Sequence, residues 1–305
     1  MTKRTISLEH SFALASRIVY YGAKTSRLRF WKTISSSASI IDGSRMDRAS
    51  ASSSKGILPA LGEEWIDVWP IQLTAPDPTV ERLAGVLSPE EGARMSRFHF
   101  DHLKRSYLLS TGALRVLLGR YLGTDPLLIR FQLGQKGKPR VSGQRLCFNA
   151  SHSGSLALFA FTMGCELGID VEQIRPLVDM NEIAERFFCA EEAAELLSIP
   201  DGERCHAFFL CWTRKEAYLK AIGEGLSAPL NQFQVTLRPE ATCRFLHLWN
   251  DPLAAQEWNL HNLEPAPGYA AALAYRGLRR RVRVFPVLVP EVLLDGARNP
   301  LWPTM

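Results

Sequence analysis

Gly168-Ile169-Asp170-Val171-Glu172, followed further on by Trp212-Thr213-Arg214-Lys215-Glu216-Ala217-Tyr218-Leu219-Lys220-Ala221-Ile222-Gly223, decides how this chain is read. On a strand, Asp170 and Glu172 point to one face, because side chains alternate with a period of two. On a helix, Trp212, Glu216 and Lys220 are four residues apart and stack along one ridge. Three carboxylates and a lysine are then able to converge. Two carboxylates on an otherwise apolar strand repel unless a positive charge lies between them. Magnesium suits that place, since it takes one or two carboxylates and completes its octahedron with phosphate oxygens and water. Plainer readings stand beside this one. Asp-x-Glu alone is an ordinary solvated strand face, and Glu216 with Lys220 is an i,i+4 surface pair worth a few tenths of a kcal/mol. Lys215 falls within the apolar stripe of Phe208, Cys211, Trp212, Leu219 and Ile222, with Glu216 and Lys220 on its flank.

Outward from this pair, the pattern predicts a strand over 64–69, helices over 79–87 and 89–98, and a long helix over 101–122. That last helix carries Leu108, Leu109, Ala113, Leu117 and Leu118 at helical spacing, and Gly123 ends it. A strand over 129–133 leads to the turn Gly134-Gln135-Lys136-Gly137-Lys138-Pro139. Apolar runs over 146–149 and 156–162 read as strands joined by a polar loop at Ser151-His152-Ser153-Gly154, and a strand follows over 167–171. Helices are expected over 180–188, 190–197 and 206–222, and strands over 233–237, 244–248, 258–262, 269–274 and 282–287. The order lacks regular βαβ repetition, which disfavours a doubly wound parallel sheet. The fold class expected is α+β, with two similar lobes that each pack a small, mainly antiparallel sheet on one long helix. Residues 56–165 form the first lobe, 166–290 the second, and 291–305 a tail.

The formal charge of +5 is unevenly spread: residues 1–55 carry a net +7 and the remainder a net −2. The basicity therefore belongs to the N-terminal stretch and argues against nucleic-acid binding by the folded part. That stretch holds thirteen serines and few acids, which reads as a disordered extension, as sequence upstream of a later start such as Met46, or as an organelle-transit segment. Cys147, Cys165, Cys189, Cys205, Cys211 and Cys243 include no C-x-x-C pair, so buried reduced thiols are expected rather than disulfides or zinc. No apolar run reaches the ~18–20 residues of a membrane helix. A cytoplasmic protein without a membrane partner is the expectation, with organelle targeting as the alternative. Walker, dinucleotide and Gly-x-Ser-x-Gly motifs are missing, which removes the commonest nucleotide-binding and hydrolase readings.

Gly137-Lys138-Pro139, Phe148-Asn149-Ala150-Ser151-His152-Ser153, Gly168-Ile169-Asp170-Val171-Glu172 and Trp212-x-x-Lys215-Glu216-Ala217-x-x-Lys220 occur in an order that closely resembles the 4′-phosphopantetheinyl transferases. The likeness is to the longer, monomeric surfactin-synthetase-activating type, and it spans about residues 64–289 with Arg186-Phe187-Phe188 and Gly223-Glu224-Gly225-Leu226 included. It implies a pseudo-duplicated fold, coenzyme A as co-substrate, Mg²⁺ (with Mn²⁺ as a substitute), and transfer of phosphopantetheine to a serine of an acyl or peptidyl carrier. By the same resemblance, Asp170, Glu172 and Glu216 hold the metal, and Glu216 also takes the serine proton. Glu216, Lys220 and His152 form the catalytic set. Lys220, His152 and Ser151 bind coenzyme A phosphates, and the backbone of Gly137-Lys138-Pro139 meets the adenine. Arg97 and Arg105, then Arg94, are expected on the 3′-phosphate, because Glu90 and Glu91 stand where the family often has a basic residue. Lys215 either touches phosphate or fixes the helix. The segment between Glu172 and Phe188, with Ile174, Arg175, Leu177 and Phe187, is either the carrier-docking surface or local core and loop. A non-catalytic coenzyme A or carrier-binding module is the alternative function.

Overall fold

Two helices of 22 residues, each laid on its own sheet, organise the molecule. The computed structural model of the chain describes residues 61–134, 137–224, 228–249 and 254–295. The extension 1–55, Gly225 and Leu226, and residues 296–305 of the expected tail lie outside them. In chain order come β1 (Trp65–Gln72), α1 (Asp77–Ala84), α2 (Pro89–Met95), α3 (Asp101–Leu122), β2 (Phe131–Leu133), β3 (Pro139–Val141), β4 (Leu146–Ser153), β5 (Leu156–Met163) and β6 (Leu167–Gln173). There follow α4 (Met180–Phe187), α5 (Ala190–Ser198), α6 (Asp201–Ile222), β7 (Phe233–Val235), β8 (Phe245–Leu248), β9 (Trp258–Leu263), β10 (Tyr269–Arg276), β11 (Arg281–Val284) and α7 (Pro290–Asp295).

The first sheet has the order β11-β1-β5-β4 and the second β6-β10-β9. Their ladders are antiparallel except that β1 and β11 run parallel. One face of the first sheet packs Trp69, Ile71, Phe148, Phe159 and Phe161 against Leu109, Leu117 and Leu118 of α3. One face of the second packs Ala270, Ala272 and Ala274 against Phe208, Cys211 and Trp212 of α6. Small alanines on β10 let the helix lie close, and burial of this kind stabilises by roughly 25 cal/mol per Å² of apolar surface. The opposite faces meet in a third cluster that includes Val68, Leu158, Ile169, Val171 and Leu273. Both lobes therefore pair a sheet with a long helix, as the α+β expectation required.

The chain end crosses back to the first sheet. Strand β11 pairs with β1, Arg283 binds Asp67 through Nε at 2.6 Å, and Leu293 of α7 is fully buried beside α3. Residues 281–295 thus pack with the first lobe, although sequence order assigns them to the second lobe and the tail.

Several element expectations need correction. Ser151, His152 and Ser153 are not a loop: they finish β4, paired with Leu158, Ala157 and Leu156 of β5. Their polarity belongs to a strand whose hydroxyls turn inward. The strand expected over 129–133 shrinks to Phe131–Leu133, because Asp125 accepts from Leu127 N at 2.8 Å and starts a 3₁₀ turn over Pro126–Leu128. The helix expected over 206–222 begins at Asp201, in a polar first turn that carries Asp201 and Glu203. It is also not a one-sided stripe. Residues from Ala207 to Ala217 are all buried, while Ile222 is exposed, because α6 is held between the second sheet and the elements that follow β6.

Candidate active site

The site forms where the two sheets meet, along β4 and β6. On β4, Asn149, Ser151 and Ser153 share one face by the period of two, and each reaches β6 with its side chain. Asn149 Oδ1 accepts from the backbone N–H of Ile169 at 2.8 Å. Ser151 Oγ donates to Asp170 Oδ1 at 2.8 Å, and Ser153 Oγ donates to Glu172 Oε2 at 2.7 Å. The bonds advance together along both strands, so β4 and β6 run in the same direction. Asp170 and Glu172 are buried, as are both serines.

Gly168 lies on the same face of β6 as Asp170 and Glu172, one step earlier. A Cβ at Gly168 would collide with Ala217 O and Ala221 N of α6, so only glycine lets this helix approach the strand so closely. The approach puts Lys220 on the cluster: its Nζ donates to Asp170 Oδ1 at 2.7 Å and to Ser151 Oγ at 2.8 Å. Glu216, one turn earlier on α6, is buried. Gly223 then ends α6 in the left-handed region with φ of 72°, and its N–H returns to Leu219 O.

Burial shifts the titration of this cluster. Removal from water raises the pKa of Asp170, although Lys220 and Ser151 oppose the rise. Glu172 is pushed up to about 7 by burial and then by the neighbouring Asp170 charge, against the lowering bond from Ser153. His152 is lowered to about 4 by burial and then by Lys220, so its imidazole is neutral near pH 7. A neutral ring binds a phosphate as a hydrogen-bond donor rather than as a cation.

The expected residues are distributed as follows. Ser151, Asp170 and Lys220 are joined directly, and Ser153 joins Glu172. Among the described residues, however, no three His, Cys, Asp or Glu side chains stand close enough to hold a metal ion. The cation that meets Asp170 here is Lys220. Asp170 Oδ2 is nonetheless buried without a hydrogen-bond partner, an acceptor that a hard cation would satisfy. The donors at hand are all oxygens, which fits Mg²⁺ rather than a soft metal.

Lys138 turns its side chain to structure. Its Nζ donates to Glu166 Oε2 at 2.9 Å, Leu167 O at 2.8 Å and Ala221 O at 2.9 Å, which ties the turn before β3 to the C-terminus of α6. Pro139 opens β3 opposite Leu133. Arg105 binds Asp77 Oδ1 at 3.1 Å and the carbonyl of Ala75, so it holds α3 to the start of α1 and the residues just before it. Arg94 lies over the Tyr107 ring at 5.5 Å, and Arg97 is exposed in the turn after α2. The carrier-docking candidates Ile174, Leu177 and Phe187 are partly buried against the second core, while Val178, between Leu177 and the start of α4, is 98% exposed.

Lys215 fixes the helix. Both it and Glu192 are wholly buried, with Nζ 2.8 Å from Glu192 Oε2, 2.8 Å from Leu230 O and 2.5 Å from Phe233 O. Glu192 also accepts from Cys189 N at 3.1 Å and Val235 N at 2.8 Å. Glu192, Asn149 and Ser153 are the residues that sequence reasoning passed over. The alternation of Asn149, Ser151 and Ser153 was the signal for two of them, hidden by reading a loop. For Glu192 the signal was its place three residues after Cys189 at a helix start.

The family model of the 4′-phosphopantetheinyl transferase superfamily matches residues 166–274. The 4′-phosphopantetheinyl transferase HetI of Nostoc sp. is 38% identical over 224 residues, which cover 72% of this chain and 91% of the relative. The 4′-phosphopantetheinyl transferase Sfp of Bacillus subtilis is 34% identical over 161 residues, 52% of this chain and 70% of the relative. Among solved structures, the holo-[acyl-carrier-protein] synthase of Thermotoga maritima covers 38% of this chain and 64% of its own at 20% identity and a TM-score of 0.28, too slight a likeness to bear on the fold.

Proposed function

The chain belongs to the 4′-phosphopantetheinyl transferase family, and from that premise we propose how its residues divide the work. The protein transfers the 4′-phosphopantetheine group of coenzyme A to a serine of a carrier protein. A bond forms between the serine oxygen and the phosphorus that bears pantetheine, the pyrophosphate bridge breaks, and adenosine 3′,5′-bisphosphate leaves. The single observation that carries the site assignment is the meeting of Lys220 with Asp170 and Ser151 across the β4–β6 seam.

Asp170 and Glu172, joined by Glu216 once the three carboxylates are drawn together, would hold Mg²⁺, with Mn²⁺ as a substitute, and the ion would neutralise charge on the pyrophosphate. Lys220 would move its ammonium from Asp170 to a pyrophosphate oxygen and offset the charge that develops there in the transition state. His152 would donate one N–H to a phosphate oxygen. Glu216 would accept the proton of the carrier serine, a role that requires hydrogen-bond reach in the ternary complex. Arg97 is the better candidate for the 3′-phosphate, since Arg105 is already engaged by Asp77 and Ala75. The backbone of Lys138 and Pro139 would meet the adenine. Val178 with Arg175 would present the docking edge to the acyl or peptidyl carrier. All six cysteines are free thiols, which suits a reducing compartment, and both sides of the seam come from one chain, which suits a cytosolic monomer.

The test is to incubate the protein with apo carrier proteins of several classes, coenzyme A and Mg²⁺, and to read the intact mass of each carrier. A phosphopantetheine adduct and equimolar adenosine 3′,5′-bisphosphate are expected, both lost on chelation. No adduct on any carrier would overturn the transfer reading, and tight coenzyme A binding without turnover would favour the non-catalytic module.

A further inference from the structure

Each serine of the seam is held so that its hydroxyl has one direction left. Ser151 Oγ accepts from Lys220 Nζ at 2.8 Å and donates to Asp170. Ser153 Oγ accepts from the backbone N–H of Gln173 at 3.1 Å and donates to Glu172 Oε2. A hydroxyl has a single hydrogen, so an N–H arriving at its oxygen leaves that hydrogen for the carboxylate. The two cases differ in permanence. Lys220 is a side chain that a phosphate competes for, whereas Gln173 N–H is backbone and remains in place. Ser153 is buried, and Gly154 beside it, at φ of 56°, turns the chain back into β5 against Gln173 and Tyr269. A side chain at Gly154 would meet both of those groups and would be strained at this positive φ, so glycine suits the turn that follows Ser153.

We propose that Ser153 is a positioning residue for the transfer reaction: it fixes one oxygen of Glu172 so that the other is presented to the divalent cation. The proposal rests on the reading above that Asp170 and Glu172 hold that cation. It makes the seam a preset template. β4 supplies the hydroxyls that orient the ligands, and β6 supplies the ligands. Groups that orient metal ligands in this way typically change metal affinity by roughly 10–100-fold when removed.

The experiment measures binding of Mn²⁺ alone to the full chain by the loss of its free electron-spin-resonance signal, and the Mg²⁺ concentration that gives half-maximal turnover. Ser153→Ala is expected to weaken Mn²⁺ binding by roughly tenfold and to raise the Mg²⁺ requirement by a similar factor. At saturating Mg²⁺ its KM for coenzyme A stays at the wild-type value, and Ser153→Thr, which keeps the hydroxyl, restores Mn²⁺ affinity. Wild-type Mn²⁺ affinity in Ser153→Ala, with Asp170→Ala abolishing it, would overturn the role of Ser153 and leave the site reading intact. Wild-type affinity in both variants would overturn the site reading itself. Should Ser153→Ala melt below the assay temperature, Ser153→Cys, of similar size and a weaker donor, carries the same two outcomes.

Discussion

Lys215 and Lys220 stand five residues apart on one helix and do opposite things. Lys215 is sealed in the core, where Glu192 and two backbone carbonyls take its three hydrogens. Lys220 is 15% exposed at the seam and is shared between one carboxylate and one hydroxyl. A lysine whose donors are all taken by fixed groups cannot serve a ligand without breaking the fold. A lysine held by the groups that would bind the ligand's own counter-ion can. The contrast separates an anchor from the reagent proposed for the same α6, which the motif Lys215-Glu216-Ala217-x-x-Lys220 by itself does not.

The largest effect that tests this contrast is on stability. Glu192→Ala leaves the Lys215 charge buried without its partner and should destabilise the protein by about 3–5 kcal/mol in urea unfolding. Adding Lys215→Met to it should recover part of that loss, and a wild-type midpoint for Glu192→Ala would remove the anchor role. Next, Lys220→Met should lower turnover by about 10²–10³-fold, equal to about 3–4 kcal/mol of barrier. It should destabilise the protein less than Glu192→Ala, because Lys220 reaches solvent and Asp170, left without it, can take up a proton. Equal damage to folding and turnover would erase the distinction. Gly168→Ala should cost about 1–3 kcal/mol, because the new methyl pushes α6 off β6. Its turnover should fall alongside, as Lys220 is drawn away from Asp170, and calorimetry with steady-state kinetics reads both. The smallest effect is expected at the rim. Arg97→Ala should raise KM for coenzyme A about fivefold, the factor that goes with about 1 kcal/mol at an exposed charge, and leave 3′-dephospho-coenzyme A unchanged. If Arg105→Ala shows that selective loss and Arg97→Ala does not, the two arginines exchange roles.

Where sequence pattern expressed packing directly, it was legible. The helix at Asp101–Leu122 matches its expected range because leucines at helical spacing run up to a glycine that ends it. Asp170 and Glu172 share a face as strand periodicity demands. The seam was harder to read. Ser151 and Ser153 look like loop residues, and Asn149 like the end of a strand, because their partners lie on a strand some twenty positions away, and polar alternation inside an apolar strand means nothing until that strand is beside it. Lys215 was ambiguous for the same reason: a buried lysine is tolerable only with its counter-charge, and Glu192 belongs to another helix. The return of β11 and α7 to the first lobe has no local signal, since strand pairing across more than two hundred residues is set by the sheet edge left open at β1.

Glu216 carries the central claim, that α6 brings its reacting groups to the β4–β6 seam while Lys215 merely holds the helix. The most direct measurement is the rate at which Glu216→Gln converts an apo carrier protein, followed by intact mass at saturating coenzyme A and Mg²⁺, beside its melting temperature. Turnover reduced by at least about a hundredfold is expected, with melting unchanged within a few degrees. A Glu216→Gln protein that modifies the carrier at the wild-type rate would contradict it.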